Sequence, residues 1–121
     1  YLTSKGLESV CTSYDLNQYQ LTEMMDYSDT SKLEVTVHQY MPEFHMEHCV
    51  FAAFLSNGSS FLDCGRPCEH HKVKLRDRVG IEHPLKADVG CRNTLFNANA
   101  QTGAKYFQLL SQLGLRQYLM A

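Results

Sequence analysis

Between Glu47 and Cys91 the chain carries Cys49, Cys64, Cys68 and Cys91, four of its five cysteines, together with His48, His70, His71 and His83. So dense a run of soft and borderline ligands constrains folding more than any hydrophobic pattern here. It admits three explanations: a disulfide framework, a zinc site or an iron–sulfur site. Five is an odd number for a disulfide framework, and no secretion signal precedes these residues, so a reducing compartment, the cytoplasm or an organelle interior, is expected.

Spacing leaves the two metal readings open. Fourteen residues separate Cys49 from Cys64, three separate Cys64 from Cys68, and twenty-two separate Cys68 from Cys91. Structural zinc usually takes two tight pairs of ligands, and only Cys64 and Cys68 make one; His45, one helical turn before Cys49, and His70 and His71 could supplement them. A four-iron four-sulfur cluster takes four thiolates from scattered loops equally well. Nucleophilic chemistry has less support. There is no Gly-x-Ser-x-Gly, no His-Glu-x-x-His and no phosphate-binding glycine loop, and a Cys49–His48 or Cys49–His45 dyad would pair near neighbours that rarely face each other.

With 121 residues, 44% of them apolar and 20% charged, the chain is sized and composed as one soluble domain. Its longest apolar run, Val50 to Leu55, is far too short to span a bilayer. A net charge of −2 gives no general attraction to nucleic acid. Locally, Arg66, Lys72, Lys74, Arg76 and Arg78 form a cationic island, which suits either a solvated strand face or a phosphate contact.

Periodicity supplies the elements. Leu7 to Tyr14 alternates like a short strand and would leave Cys11 as a buried or half-buried thiol. Asn17 with Gln20 three residues on has the form of a capping box, opening a helix that buries Leu21, Met24 and Met25 and ends at Ser28 to Ser31. Leu33 to Met41 returns to period two. Leu33, Val35 and Val37 share one face, while Glu34, Thr36 and His38 share the other, which faces a cleft or water. From Glu47 the pattern predicts a helix ending at Asn57-Gly58, with Cys49 in its first turn, where amide N–H groups favour a thiolate. Cys64-Gly-Arg-Pro-Cys68 is too rich in Gly and Pro for regular structure. His71 to Leu85 reads as a hairpin turning at Asp77-Arg78-Val79-Gly80. Thr94 to Phe96 is a short strand, a helix follows from about Thr102 with Gly114 as its cap, and Leu115 to Met120 begins another strand. Alternation of strands and helices around a cysteine-rich insertion over about 41–93 predicts a mainly parallel α/β sheet.

Four blocks together carry a resemblance. Glu34-Val35-Thr36-Val37-His38, the run from Met41 to Ser56, Asp63-Cys64-Gly65-Arg66-Pro67-Cys68, and His83 to Thr94 are similar to the peptidase U-32 family, also called collagenase-like proteases, in its long multidomain branch. Gln39 and Pro42 depart from the family signature, which has a glycine and a cysteine there. The resemblance covers essentially the whole chain. It implies part of a TIM-barrel-like βα domain, with the chain as its later part and the remainder of a parent chain as partner. It also implies that Cys49, Cys64, Cys68 and Cys91 bind a 4Fe-4S cluster. Members of known chemistry include oxygen-independent hydroxylases of transfer RNA, ribosomal RNA and the ubiquinone ring, with prephenate as a hydroxyl source.

The expected function is thus iron–sulfur-dependent hydroxylation of an RNA base. Glu34, His38 and His45 are the candidate catalytic residues, and Arg66, Lys72, Lys74 and Arg76 the phosphate contacts. A peptidase, as the family name has it, and a non-catalytic, metal-stabilised RNA-binding module are the rivals.

Overall fold

Asn17 Oδ1 accepts the Gln20 N–H and Gln20 Oε1 accepts the Asn17 N–H, each at 3.0 Å, so the capping box is formed on both sides. The first predicted helix therefore starts where its sequence sets it. A computed structural model describes all residues from Tyr1 to Ala121. In chain order its elements are β1 (Val10–Cys11), α1 (Gln18–Asp26), β2 (Leu33–Gln39), β3 (Pro42–Met46), α2 (Val50–Leu55), α3 (Pro67–His70), β4 (Val73–Arg76), β5 (Glu82–Ala87), β6 (Asn93–Phe96), β7 (Gln101–Thr102), α4 (Phe107–Gln112) and β8 (Gln117–Met120). They fall into two units, one comprising Tyr1–Gln39 and Gln101–Ala121, the other Tyr40–Ala100.

The first unit is built on β2. Glu34 pairs with Cys11 of β1 and with Gln117 of β8, both parallel, so these strands lie on opposite edges of β2. Antiparallel β7 pairs with β2 at His38 and Gln39. Because His38 also pairs with Met120 of β8, β1 and β7 share one edge, end to end. Leu33 and Val35 point to the face covered by Leu21 and Met25 of α1 and by Leu110 and Leu115, as their alternation predicts. Gly114, at φ +98°, ends α4 in the left-handed conformation that a side chain would resist. The strand at Leu7 to Tyr14 pairs only at Val10–Cys11, and Cys11 is exposed, not buried as its strand pattern suggested.

The second unit is one antiparallel sheet in the order β3-β6-β5-β4. The hairpin expected from His71 to Leu85 forms, with Val73 opposite Leu85 and Arg76 opposite Glu82. β3 is an added edge strand, and Pro42 stands at its first residue, where a missing N–H does no harm. Phe51 of α2 packs with Leu85 and Leu95 as the buried hydrophobic cluster of this unit. At about 1.5–3 kcal/mol each, such a core is small for a unit running from Tyr40 to Ala100.

The TIM-barrel-like βα domain implied by the resemblance does not form. There are two separate sheets, no closed barrel, and four short helices, of which α1, at nine residues, is the longest. Turn length is the physical cause. Parallel pairing needs a crossover of about a dozen residues or more, whereas β4, β5 and β6 are joined by tight turns at Asp77 and Asp88 that force antiparallel neighbours. No helix is long and apolar enough to cross a membrane.

Candidate metal centre

Three of the four predicted ligands, Cys49, Cys64 and Cys91, line one cavity of about 340 Å³ in the second unit. Each arrives on a different segment, and each segment is held by its own local hydrogen bonds. Cys49 is the N-cap of α2, one position before the first turn where the sequence pattern put it, and its Sγ accepts the Ala52 N–H at 3.5 Å. Val50, next in the chain, donates its N–H to Asn93 Oδ1 at 2.7 Å. That bond ties the start of α2 to β6 and so fixes where Cys49 stands.

Cys64 ends a loop organised by Asp63. Its carboxylate Oδ1 accepts the Ser59 N–H at 2.9 Å and the Ser60 N–H at 2.8 Å, and the two serine hydroxyls add weaker bonds. These backbone donors, Ser60 first, hold the Asp63 carboxyl below its ordinary value. Gly58 passes so close to the Asp63 carbonyl that a Cβ there would collide with backbone. The loop thus closes only with glycine at 58.

Cys91 sits in the turn between β5 and β6. Asp88 Oδ1 accepts the Gly90 and Arg92 N–H groups, and Cys91 itself is left-handed at φ +59°. Only one other non-glycine residue has positive φ: Arg66, at +51°, between Cys64 and Cys68. Such conformations cost about 1–3 kcal/mol each and concentrate at functional sites. Both lie in the cysteine-bearing segments.

Cys68 does not line the cavity. The Gly/Pro-rich stretch is more regular than its composition suggests, because Pro67 opens the short helix α3, on which Cys68 lies exposed, separated from Cys64 by the left-handed Gly65 and Arg66. All five cysteines are free thiols. No three of the His, Cys, Asp and Glu side chains are gathered into a ready ligand group. The donor set suits a sulfur-loving metal, since the three cavity thiols are joined there by Glu47 and His48.

The other predicted residues are dispersed. His45 is exposed on β3, bonded through Nδ1 to Thr94 Oγ1 at 3.1 Å, and is not part of the cavity lining. Glu34 and His38 belong to the first unit. Glu34 is tied to the Ser9 hydroxyl, while exposed His38, at the end of β2, borders a separate cavity of about 270 Å³ that Glu34 does not reach. That cavity contains no lysine or arginine. Arg66 pairs with Glu69 at 3.1 Å. Lys74 and Arg76 both pair with Glu82, at 3.1 and 2.8 Å, leaving Lys72 of this row without an ion-pair partner.

Asn93, Asp63 and Asp88, which hold the cysteine-bearing segments, escape a reading of the sequence by motif. Asp63 and Asp88 had a visible signal, an aspartate set a few residues from Gly and Ser where turns take Asx bonds. Asn93 had none. No protein-family model matches this chain, and no curated protein or solved structure shows significant similarity to it.

Proposed function

We propose that this chain is a metal-centred enzyme domain of the peptidase U-32 type, in which Cys49, Cys64, Cys68 and Cys91 hold a 4Fe-4S cluster and the reaction is oxygen-independent hydroxylation of an RNA base. The observation that carries the reading is the shared cavity of Cys49, Cys64 and Cys91, three thiols from three separately braced segments. Cys68, four residues beyond Cys64, would supply the fourth sulfur. A small core gives the second unit reason to use a metal staple. When bound, the cluster would supply one-electron chemistry. Arg66, Lys72, Lys74 and Arg76 would meet phosphate, which makes RNA affinity salt-dependent.

The test is anaerobic purification followed by assay of iron, zinc and acid-labile sulfide, with a visible spectrum before and after dithionite. About four irons and four sulfides per chain support the cluster. One zinc without sulfide replaces it by a structural site and a binding module. Protein that takes up neither metal after reconstitution ends the reading.

A further inference from the structure

Asn93 is the one polar residue of the chain that is fully buried, at 0% exposure. Half of its carboxamide is accounted for, because Oδ1 accepts the Val50 N–H. The other half is not: Nδ2 is enclosed without any acceptor. A buried donor left unsatisfied is costly and rare, and calls for an explanation. Leu95, two residues along the same strand and on the same face, shows that an apolar side chain suits this side of β6.

The neighbours supply the explanation. Val50 directly follows Cys49, and Asn93 is two residues after Cys91, so the carboxamide lies near one cavity thiol in sequence and is bonded to the residue next to another. Cys49 Sγ lies at the Ala52 N–H and Asn93 Oδ1 at the Val50 N–H, so thiol and carboxamide meet the same opening turn of α2. A thiol is a weak acceptor. A metal-bound thiolate is an anionic and strong one, and partners of this second layer orient ligands and tune the metal.

We infer that Asn93 is a positioning residue of the metal centre: Oδ1 fixes the turn that presents Cys49, and Nδ2 donates to a metal-bound sulfur, which completes its hydrogen bonding only when metal is present. This rests on the metal-centre reading above. A donor to a cluster sulfur favours the more negative, reduced state, so its removal lowers the reduction potential.

Two variants and one measurement on the unaltered protein test the inference. Asn93→Asp keeps an oxygen for Val50 and removes the NH₂ donor; Asn93→Leu removes both. Circular dichroism of each metal-free variant reports folding. Expected for Asn93→Asp is iron lost to a chelator about tenfold faster or more, with a lower potential. Independently, the Asn93 side-chain ¹⁵N–¹H resonances of the unaltered protein are followed as zinc is added to the metal-free form; they should shift and exchange more slowly with solvent. Resonances that stay in place while zinc binds overturn the proposal, as do folded variants with unaltered iron retention and potential. Unaltered protein that takes up no metal of either kind removes the metal-centre reading itself, and this inference with it.

Discussion

Cys91 occupies in the β5–β6 turn the position that Gly80 occupies in the β4–β5 turn. The bonds correspond one by one. Asp77 N–H donates to the Ile81 carbonyl at 2.9 Å and Gly80 N–H to the Asp77 carbonyl at 3.1 Å; Asp88 N–H donates to the Arg92 carbonyl at 2.8 Å and Cys91 N–H to the Asp88 carbonyl at 3.1 Å. In each turn the aspartate Oδ1 takes two further backbone N–H groups. Both fourth residues are left-handed, Gly80 at φ +92° and Cys91 at +59°. Glycine adopts that conformation freely and cysteine does not, so the second turn gives up stability to keep a sulfur.

The first prediction follows from that substitution within one fold. Cys91→Gly should stabilise the metal-free protein by about 1 kcal/mol while abolishing stable metal binding. Cys91→Ala should lose the metal without the gain. Urea unfolding of the three metal-free proteins, with metal content beside it, separates these outcomes. A Cys91→Gly protein less stable than the parent would mean that the cysteine side chain has a packing role instead.

The loop before Cys64 gives the second. Gly58→Ala drives a methyl into the Asp63 backbone, and overpacking of this kind costs about 1–3 kcal/mol. Asp63→Asn keeps the size of the side chain and weakens its bonds to Ser59 and Ser60. Both changes should reduce metal retention more than Cys11→Ser, since Cys11 lies in the other unit. Equal retention in all three would show that the loop does not present Cys64.

How much of this was legible in the sequence depends on the element. Asn17 with Gln20 announced α1, and His71 to Leu85 announced a hairpin, because capping boxes and Asp-x-x-Gly turns are local chemistry. The barrel expectation failed, and Asp88 shows why: Asp88-Val-Gly-Cys-Arg makes the same turn as Asp77-Arg-Val-Gly-Ile, but cysteine in the glycine position hid it, and with it the antiparallel β5–β6 pair. β3 was hidden too, since Glu43, Phe44 and His45 are all exposed on an edge strand and show no alternation. Cys49, Cys64 and Cys91, which share the cavity, had been singled out by composition and resemblance. Asn93 was not, because an asparagine after Cys91 and Arg92 looks like a turn residue until its burial is known.

The third prediction concerns acid. Asp77 is held below its ordinary value chiefly by the Ile81 N–H, with His83 and Val79 also bonded to it, and Glu82 is held down chiefly by Arg76 and then by Lys74. Depressed folded values mean stability that is present in full above the unfolded values, about 4 for these groups, and lost as pH falls through the folded ones. Acid titration watched by circular dichroism should therefore show loosening of the β4–β5 hairpin only below about pH 4. Asp77→Asn and Glu82→Gln should flatten that acid limb. An unchanged acid limb in both variants would assign it to other carboxylates.

The last prediction tests the phosphate contacts through the residue that masks them. Glu82 neutralises part of the row formed by Lys72, Lys74 and Arg76 by pairing with two of its three cations. RNA binding to that row must compete with Glu82, so Glu82→Gln should tighten single-stranded RNA binding and steepen its dependence on salt. Lys72→Ala removes the cation that has no competitor and should reduce the slope of log affinity against log salt by about 0.7. Fluorescence anisotropy over a salt series with a short labelled RNA measures both. Should Glu82→Gln leave affinity and slope unaltered while Lys72→Ala does the same, the cationic row is a solvated strand face and RNA is bound elsewhere or not at all. Opposite changes in the two variants place phosphate on β4, because exposed pairs as weak as these are readily exchanged for a polyanion.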